Sequence, residues 1–252
     1  MNSNIIVILI LAIVGLFYLL IQETGKPLTE KGYVISTYMY ILLGILLTTL
    51  FVLIFEYFDV QIFYNQMVAM GVFIVAIASL LFVLYTSREQ KILKNVFWGI
   101  FIFTMSAAIY PIYVLSKRNN TLWKTMVTLI AIVLILSWVA YTQPLTTFTS
   151  WGTGLSIALV GLIIFEVLDL IFSDPTSPGF LQRWKIYSWI AIILFSGFLL
   201  YDTQKIIQNS KIINELCVSK VQSDCTDYPA ESLGILLDII NLFSNISGTN
   251  SF

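Results

Sequence analysis

The sequence predicts an all-α membrane protein, a bundle of helices that cross a bilayer several times. Of the 252 residues, 58% are hydrophobic and only 11% are charged, whereas a soluble domain carries about 25% charged residues. The mean hydropathy is +0.90, so the polar groups are too few to cover the apolar surface in water. The apolar residues also fall into runs of about 20, the length that crosses a bilayer as a helix.

Eight such runs follow one another along the chain, separated by short polar segments. The predicted spans are residues 4–22, 34–55, 66–86, 95–116, 122–142, 151–173, 185–207 and 229–246. No Lys or Arg precedes the first run, which favours an extra span over a cleaved secretory leader. We therefore expect an N-terminal hydrophobic segment (1–32), a polytopic membrane bundle of seven helices (33–247) and a short tail (248–252).

Composition argues against several functional classes. The chain has no His, which removes the commonest general base and metal ligand. It also lacks a Gly-rich phosphate loop, a nucleophile elbow and a basic cluster of the kind that binds nucleic acid. The sequence therefore predicts neither an enzyme nor a resident cofactor nor a nucleic-acid partner.

The distribution of positive charge predicts the orientation. Eight of the thirteen Lys and Arg residues belong to the loops near 23–33, 87–94, 143–150 and 208–228 (with Lys205 at the edge of the last loop), and five belong to the alternate loops. The positive-inside rule then places the first set in the cytoplasm. On that orientation the triplet Asn119-Asn120-Thr121 is lumenal. Cys217 and Cys225, which share the 208–228 loop, are then expected to be inert reduced thiols. A disulfide between them is the alternative if that loop faces an oxidising compartment.

Several small and acidic residues have packing or interfacial interpretations. Gly154, Ala158 and Gly161 lie in the sixth span, where small residues let helices approach closely. The pair Ser196-Gly197 has the same interpretation in the seventh span. Residues 174–179 form a predicted turn, and the span-end acids Glu166 and Asp169 are expected to be solvated at the membrane interface.

Two acids remain to be explained within the last two spans, Asp202 and Asp238. Asp238, Asn241 and Asn245 recur at helical spacing and form one polar stripe on an apolar helix. Because an ionisable group in hydrocarbon is costly, such a stripe is expected to face a cavity, a partner or a pathway.

If the two carboxylates meet, they cannot both ionise cheaply and they titrate as a unit. That arrangement would suit a proton sensor, and two carboxylates also suit transient binding of Ca²⁺. The alternative is structural. Asp202 would then lie at the interface with Lys205, and Asp238 would hydrogen-bond a neighbouring helix.

The segment Tyr201-Asp202-Thr-Gln-Lys-Ile-Ile, followed by Leu237-Asp238-Ile-Ile-Asn241-Leu-Phe243, resembles the closing signature of the Bax inhibitor family. Weaker similarity extends back through Tyr110-Pro111 to about residue 33. The resemblance implies a seven-helix bundle whose last helix is enclosed by the others. It also implies that Asp202 and Asp238 form the pH sensor, and that Arg88 is the latch that holds a pore shut. The uncharged loop at 143–150 departs from the family pattern, and the run at 4–22 lies outside its core domain.

The function that the resemblance implies is a pH-sensitive Ca²⁺ leak channel of an intracellular membrane, associated with suppression of cell death. The endoplasmic reticulum or another endomembrane is the expected location, with the mitochondrial inner membrane and the plasma membrane as alternatives. The alternative function is a non-conducting membrane regulator that binds partner proteins such as cell-death factors. A third alternative is a structural membrane component whose aspartates are merely hydrogen-bonded.

Overall fold

The computed structural model of the chain describes residues 3–60, 66–173, 177–217 and 225–251. Within these ranges the chain forms eight long helices and one short helix. They are α1 (Ser3–Thr24), α2 (Glu30–Tyr57), α3 (Gln66–Tyr85), α4 (Lys91–Arg118), α5 (Leu122–Thr142), α6 (Thr146–Thr149), α7 (Gly152–Phe172), α8 (Pro178–Leu216) and α9 (Tyr228–Ser251).

The predicted fold class is confirmed. All the helices except α6 are long and apolar enough to cross a membrane. A segment in lipid must satisfy its backbone N–H and C=O groups internally, and an α-helix does so within one segment. The first apolar run, predicted at 4–22, forms α1, which packs against α2.

Helix α8 is much longer than the predicted span at 185–207, because it continues to Leu216. The prediction of a loop beginning at residue 208 is therefore wrong over residues 208–216. In this extension Ser210 is buried while Lys211 is exposed. Ile212 and Leu216 are exposed as well, so polar and apolar residues are mixed along this segment, and a search for continuous apolar runs does not detect it.

Local polar contacts set several helix ends. The Thr29 hydroxyl caps α2 by accepting a hydrogen bond from a first-turn backbone N–H at 3.0 Å. Asn120 follows α4 with φ of 55°, the left-handed conformation that commonly stops a helix. The Ser177 hydroxyl accepts from the Phe180 N–H at 3.2 Å, at the start of α8. Of the turn predicted at 174–179, residues 174–176 lie outside the described ranges.

The chain divides into two compact units. One comprises Met1–Pro111 with Ile206–Leu236, and the other comprises Ile112–Lys205 with Leu237–Phe252. Helices α4, α8 and α9 contribute a segment to each unit.

The core of the first unit is aromatic. Tyr40 packs against Tyr228 and Trp98, with ring centroids 5.8 Å and 5.7 Å apart. The buried indole N–H of Trp98 donates to the Ser232 hydroxyl at 3.1 Å, which satisfies its polar group. Gly44 lies so close to Leu236 that a Cβ at this position would come within 2.8 Å of that side chain. These contacts place the first half of α9 against α2 and α4.

Helix α9 is buried along its length. Of its apolar span, 61% is buried, against 6% for the spans in α1 and α7. This is the helix that carries Asp238, so the acid belongs to a segment that lipid reaches least.

Candidate functional site

Asp238 is a buried acid in the second unit. Its side chain is only 4% exposed. One turn and two turns further along α9, Asn241 and Asn245 are half-buried. Their amide nitrogens donate to the backbone carbonyls of Leu237 and Asn241, at 2.8 and 2.9 Å. The two asparagines of the stripe therefore form hydrogen bonds within their own helix. Asp238 is the residue of the stripe that needs a partner from another helix.

That partner is Asp202 on α8. The two carboxyl groups lie within hydrogen-bonding reach of each other, and Asp202 is half-buried. An ionised carboxylate only accepts hydrogen bonds, so a bond between two carboxyl groups requires a proton on one of them. The second oxygen of Asp238, Oδ2, is buried and has no hydrogen-bond partner among the described residues. The two carboxyl groups are therefore close enough for one proton to be shared, and Asp238 keeps one acceptor oxygen without a partner among the described residues.

Close approach of α7 to α8 positions the residue next to Asp202. A Cβ at Gly152 would lie 2.6 Å from Cε2 of Tyr201, and a Cβ at Gly197 would lie 2.9 Å from Cδ2 of Leu155. Real Cβ atoms do not come this near to a neighbour, so a neighbour would have to move. The end of the Leu155 side chain can move more easily than the Tyr201 ring, so the need for glycine is stronger at Gly152. Gly197 thus takes the packing role that the sequence predicts for it.

The packing role predicted for the small residues of the sixth span is wrong for two of them. A Cβ at Gly154 or Gly161 would meet nothing within 4 Å, and Ala158 is exposed. Gly154 and Ala158 are both exposed, whereas Gly161 is half-buried. Helix phase decides this outcome, since Gly152 lies on the contacting side two residues before Gly154.

Gln204 is a site-supporting residue that sequence reasoning missed. Its side chain is fully buried, at 0% exposure. Its Oε1 accepts from the Phe148 N–H at 2.7 Å, and its Nε2 donates to the carbonyls of Ala140 and Pro144 at 3.3 and 2.9 Å. One side chain thus satisfies three backbone groups around α6 and holds that segment against α8, one half-turn from Asp202. The only signal in the sequence was an amide within an apolar run.

The span-end acids of α7 differ from this pair. Asp169 forms an ion pair with Arg183 at 2.9 Å and accepts a hydrogen bond from Ser173. Its oxygens have conventional partners, which is a structural role. Glu166 is half-buried.

Arg88 belongs to the first unit. Its Nη1 donates to the carbonyl oxygen of Cys225 at 3.2 Å. Its assignment as a latch on the aspartates stays a prediction.

The prediction of two reduced loop thiols is wrong. Cys217 and Cys225 form a disulfide with their Cα atoms 6.3 Å apart, which is within the range that a disulfide spans. The extension of α8 to Leu216 places Cys217 next to Cys225, which precedes α9. Sequence spacing alone could not show that proximity.

Eight apolar helices define a multi-pass integral membrane protein of the helical-bundle class. A family profile described as "Inhibitor of apoptosis-promoting Bax1" matches residues 30–248, and the chain belongs to this Bax inhibitor family. The match begins at the first residue of α2, so α1 lies outside the matched region.

Among characterised proteins, the chain is similar to the growth hormone-inducible transmembrane protein of Rattus norvegicus, with 29% identity over 157 residues. The matched part is 61% of this chain and 42% of that relative. The chain therefore spans less than half the length of the relative.

Proposed function

We propose that this protein is a pH-responsive Ca²⁺ leak channel of an endomembrane, that Asp202 and Asp238 form its proton-sensitive site, and that it suppresses cell death. The observation that carries the proposal is the proximity of the Asp202 and Asp238 carboxyl groups, in a pair that includes an acid only 4% exposed. The family description, an inhibitor of apoptosis-promoting Bax1, supports the part concerning cell death.

The protonation of the pair is the proposed source of pH sensitivity. With one shared proton, the two carboxyl groups hydrogen-bond and stabilise the contact between α8 and α9. When that proton leaves, two negative charges remain in contact in a poorly solvated place, and their repulsion is costly. They then separate or bind a cation. A change of pH thus changes the contact between the last two long helices.

The same oxygens support the proposed cation selectivity. Ca²⁺ prefers carboxylate and carbonyl oxygens and takes about 6–8 of them. The pair supplies fewer oxygens than a permanent Ca²⁺ site requires, so water must complete the coordination. Weak, partly hydrated binding suits an ion that enters and leaves. Asp238 Oδ2, which has no hydrogen-bond partner among the described residues, is the acceptor through which a cation would gain most.

The test is Ca²⁺ flux into dye-loaded proteoliposomes from about pH 6 to about pH 8, a range in which a buried carboxyl pair can exchange a proton. We expect wild type to show pH-dependent flux, and Asp202→Asn and Asp238→Asn to lose the dependence, because an amide cannot ionise. Glu166→Gln is the matched control, since it makes the same chemical change in a span acid outside the pair. It should behave as wild type.

Two outcomes would count against the proposal in different ways. If both Asn variants keep the wild-type flux and its pH profile, the pair is not the sensor. If the wild-type protein shows no Ca²⁺ flux at any pH, the proposed channel function is wrong. The alternative, a non-conducting regulator that binds partner proteins, is then favoured.

A further inference from the structure

We propose that the connection between α5 and α7, residues 143–151, positions α8 through Gln204 and Tyr201, and thereby holds Asp202 against Asp238. The inference rests on the proposed function, because it concerns what keeps the proton-sensitive pair together. All of these residues belong to the second unit. Gln204 and Tyr201 are positioning residues, since each acts on the pair through the rotation of α8.

Gln204 joins the α5–α7 connection to α8 because it satisfies the ends of two helices at once. The last carbonyl groups and the first N–H groups of a helix have no partner within that helix. Gln204 Nε2 donates to the Ala140 carbonyl in the last turn of α5 at 3.3 Å, and Oε1 accepts from the Phe148 N–H of α6 at 2.7 Å. A third hydrogen bond, to the Pro144 carbonyl between these helices, is 2.9 Å long. If the connection left α8, these backbone groups would lose a buried partner, which is costly.

Tyr201 makes the second contact, at the other end of the connection. A Cβ at Gly152, the first residue of α7, would lie 2.6 Å from Cε2 of Tyr201, so the ring lies against the backbone of α7. Within the connection, the rings of Phe148 and Trp151 pack with their centroids 5.0 Å apart. The connection therefore contacts α8 at two points, with an aromatic contact between them.

Two contacts fix the rotation of α8 about its own axis. An α-helix turns by about 100° for each residue, so Asp202 lies about 100° from Tyr201 and about 160° from Gln204 around the helix. The face that carries Tyr201 and Gln204 rests on the α5–α7 connection, and Asp202 is directed away from it. There its carboxyl group comes within hydrogen-bonding reach of Asp238.

The charges of the second unit leave the aspartate pair as the group whose proton binding the connection can change. Residues 143–151 contain no charged side chain, and Asp238 is the only charged residue of α9 in this unit. On α8, the Nζ of Lys205 lies over the Tyr201 ring, 5.8 Å from its centroid. The other charged side chains among the described residues of the unit lie towards helix ends remote from the connection: Glu166, Asp169, Arg183 and Lys185 where α7 ends and α8 begins, and Lys117, Arg118 and Lys124 where α4 ends and α5 begins.

Loosening the connection should therefore weaken the hold of the pair on a proton. Two carboxyl groups in contact share a proton more firmly than two separate acids hold one, because the second negative charge is unfavourable beside the first. If α8 rotates, the Asp202 carboxyl group moves away from Asp238 and that advantage is lost. The shared proton then leaves at a lower pH.

The test is an infrared titration of the purified full chain in lipid vesicles, which follows the absorption of protonated carboxyl groups. The part of this absorption that Asp238→Asn removes belongs to the pair. Gln204→Leu and Gly152→Ala should each lower the midpoint of this part by about one pH unit, which is a tenfold weaker hold on the proton. Gln208→Leu and Gly154→Ala make the same chemical changes at exposed positions of α8 and α7 and should keep the wild-type midpoint.

Two further variants separate positioning from a general loss of stability. Tyr201→Leu, added to Gly152→Ala, makes room for the new methyl group and should restore the wild-type midpoint. Ser232→Ala removes the acceptor of the buried Trp98 N–H in the first unit, so it should lower the melting temperature and leave the midpoint unchanged.

Two results would overturn the positioning role. One is a wild-type midpoint in both Gln204→Leu and Gly152→Ala, and the other is an equal shift in Ser232→Ala. Gly152→Ala keeps the test decisive if Gln204→Leu does not fold. Ca²⁺ flux is not part of this measurement, so a wild-type protein without flux would refute the channel while the midpoints still support or overturn the positioning role.

Discussion

At the scale of single residues, burial is what gives Asp238 its chemistry. A lone ionised carboxylate in that position would cost several kcal/mol. In the proposed function, a proton shared with the neighbouring carboxyl group of Asp202 reduces that cost. The unsatisfied Oδ2 keeps the pair from being a closed structural contact of the kind that Asp169 makes with Arg183 and Ser173.

Gln204 leads to a prediction at the same scale. Gln204→Leu removes the hydrogen bonds to the Phe148 N–H and to the carbonyls of Ala140 and Pro144. A buried backbone group left without a partner costs about 1–3 kcal/mol, so the variant should melt several degrees lower in detergent. Gln208→Leu, which makes the same change at an exposed position one turn further along α8, is the control and should melt as wild type. Equal effects of the two variants would show that the Gln204 hydrogen bonds do not hold α6.

At the scale of elements, the approach of α7 to α8 depends on residues without a side chain at the contact. Gly152 fits under the Tyr201 ring, and Gly197 fits under Leu155. In lipid there is no hydrophobic driving force for helices to associate, so van der Waals packing must hold them together. Small residues strengthen that packing because they let the helix backbones approach closely. The helix that carries Asp202 is positioned by these contacts.

Two glycine substitutions on α7 should therefore have different effects on the stability of the protein. Gly152→Ala puts a methyl group 2.6 Å from the Tyr201 ring, and overpacking of this kind costs about 1–3 kcal/mol. Gly154→Ala meets open space and should be neutral or stabilising, because alanine favours a helix over glycine by about 1 kcal/mol. Melting temperatures in detergent compare the two. Tyr201→Leu should rescue Gly152→Ala, and a failure of this rescue would locate the strain elsewhere.

At the scale of the whole molecule, two features conflict about orientation. The count of Lys and Arg, eight against five, favours the 208–228 loop in the cytoplasm. The Cys217–Cys225 disulfide in that loop favours an oxidising compartment instead. The disulfide is the more direct indicator of orientation because it is a covalent bond, whereas the two sets of loops differ by only three positive charges. We therefore expect the loop on the oxidising side and Asn119 on the opposite, reducing side.

Thiol alkylation in membranes from the native host tests this orientation. Cys217 and Cys225 should resist alkylation until a reductant is added, and glycosidase treatment should leave the protein unshifted, because Asn119 is then not lumenal. The Cys217→Ser/Cys225→Ser double variant gives the background for the alkylation. Free thiols in untreated membranes together with a glycosylated Asn119 would restore the orientation that the charge count predicts.

Sequence alone was enough for features that depend on one segment at a time. A bilayer requires runs of about 20 apolar residues with internally bonded backbones, so the membrane-crossing helices follow from hydropathy without any knowledge of their packing. The cost of charge in lipid likewise singled out Asp202 and Asp238. Their motifs indicated the family that the match over residues 30–248 then confirmed.

Tertiary structure decided everything that joins distant segments. Only the packed helices bring Asp202 to Asp238, close the disulfide between Cys217 and Cys225, and pair Lys94 with Asp227. Helix phase likewise decided that Gly152 contacts a neighbour and Gly154 does not. The physical reason is that hydropathy is a property of each residue, whereas a contact depends on the rotation and separation of two helices. Those are set by side-chain packing over the whole interface.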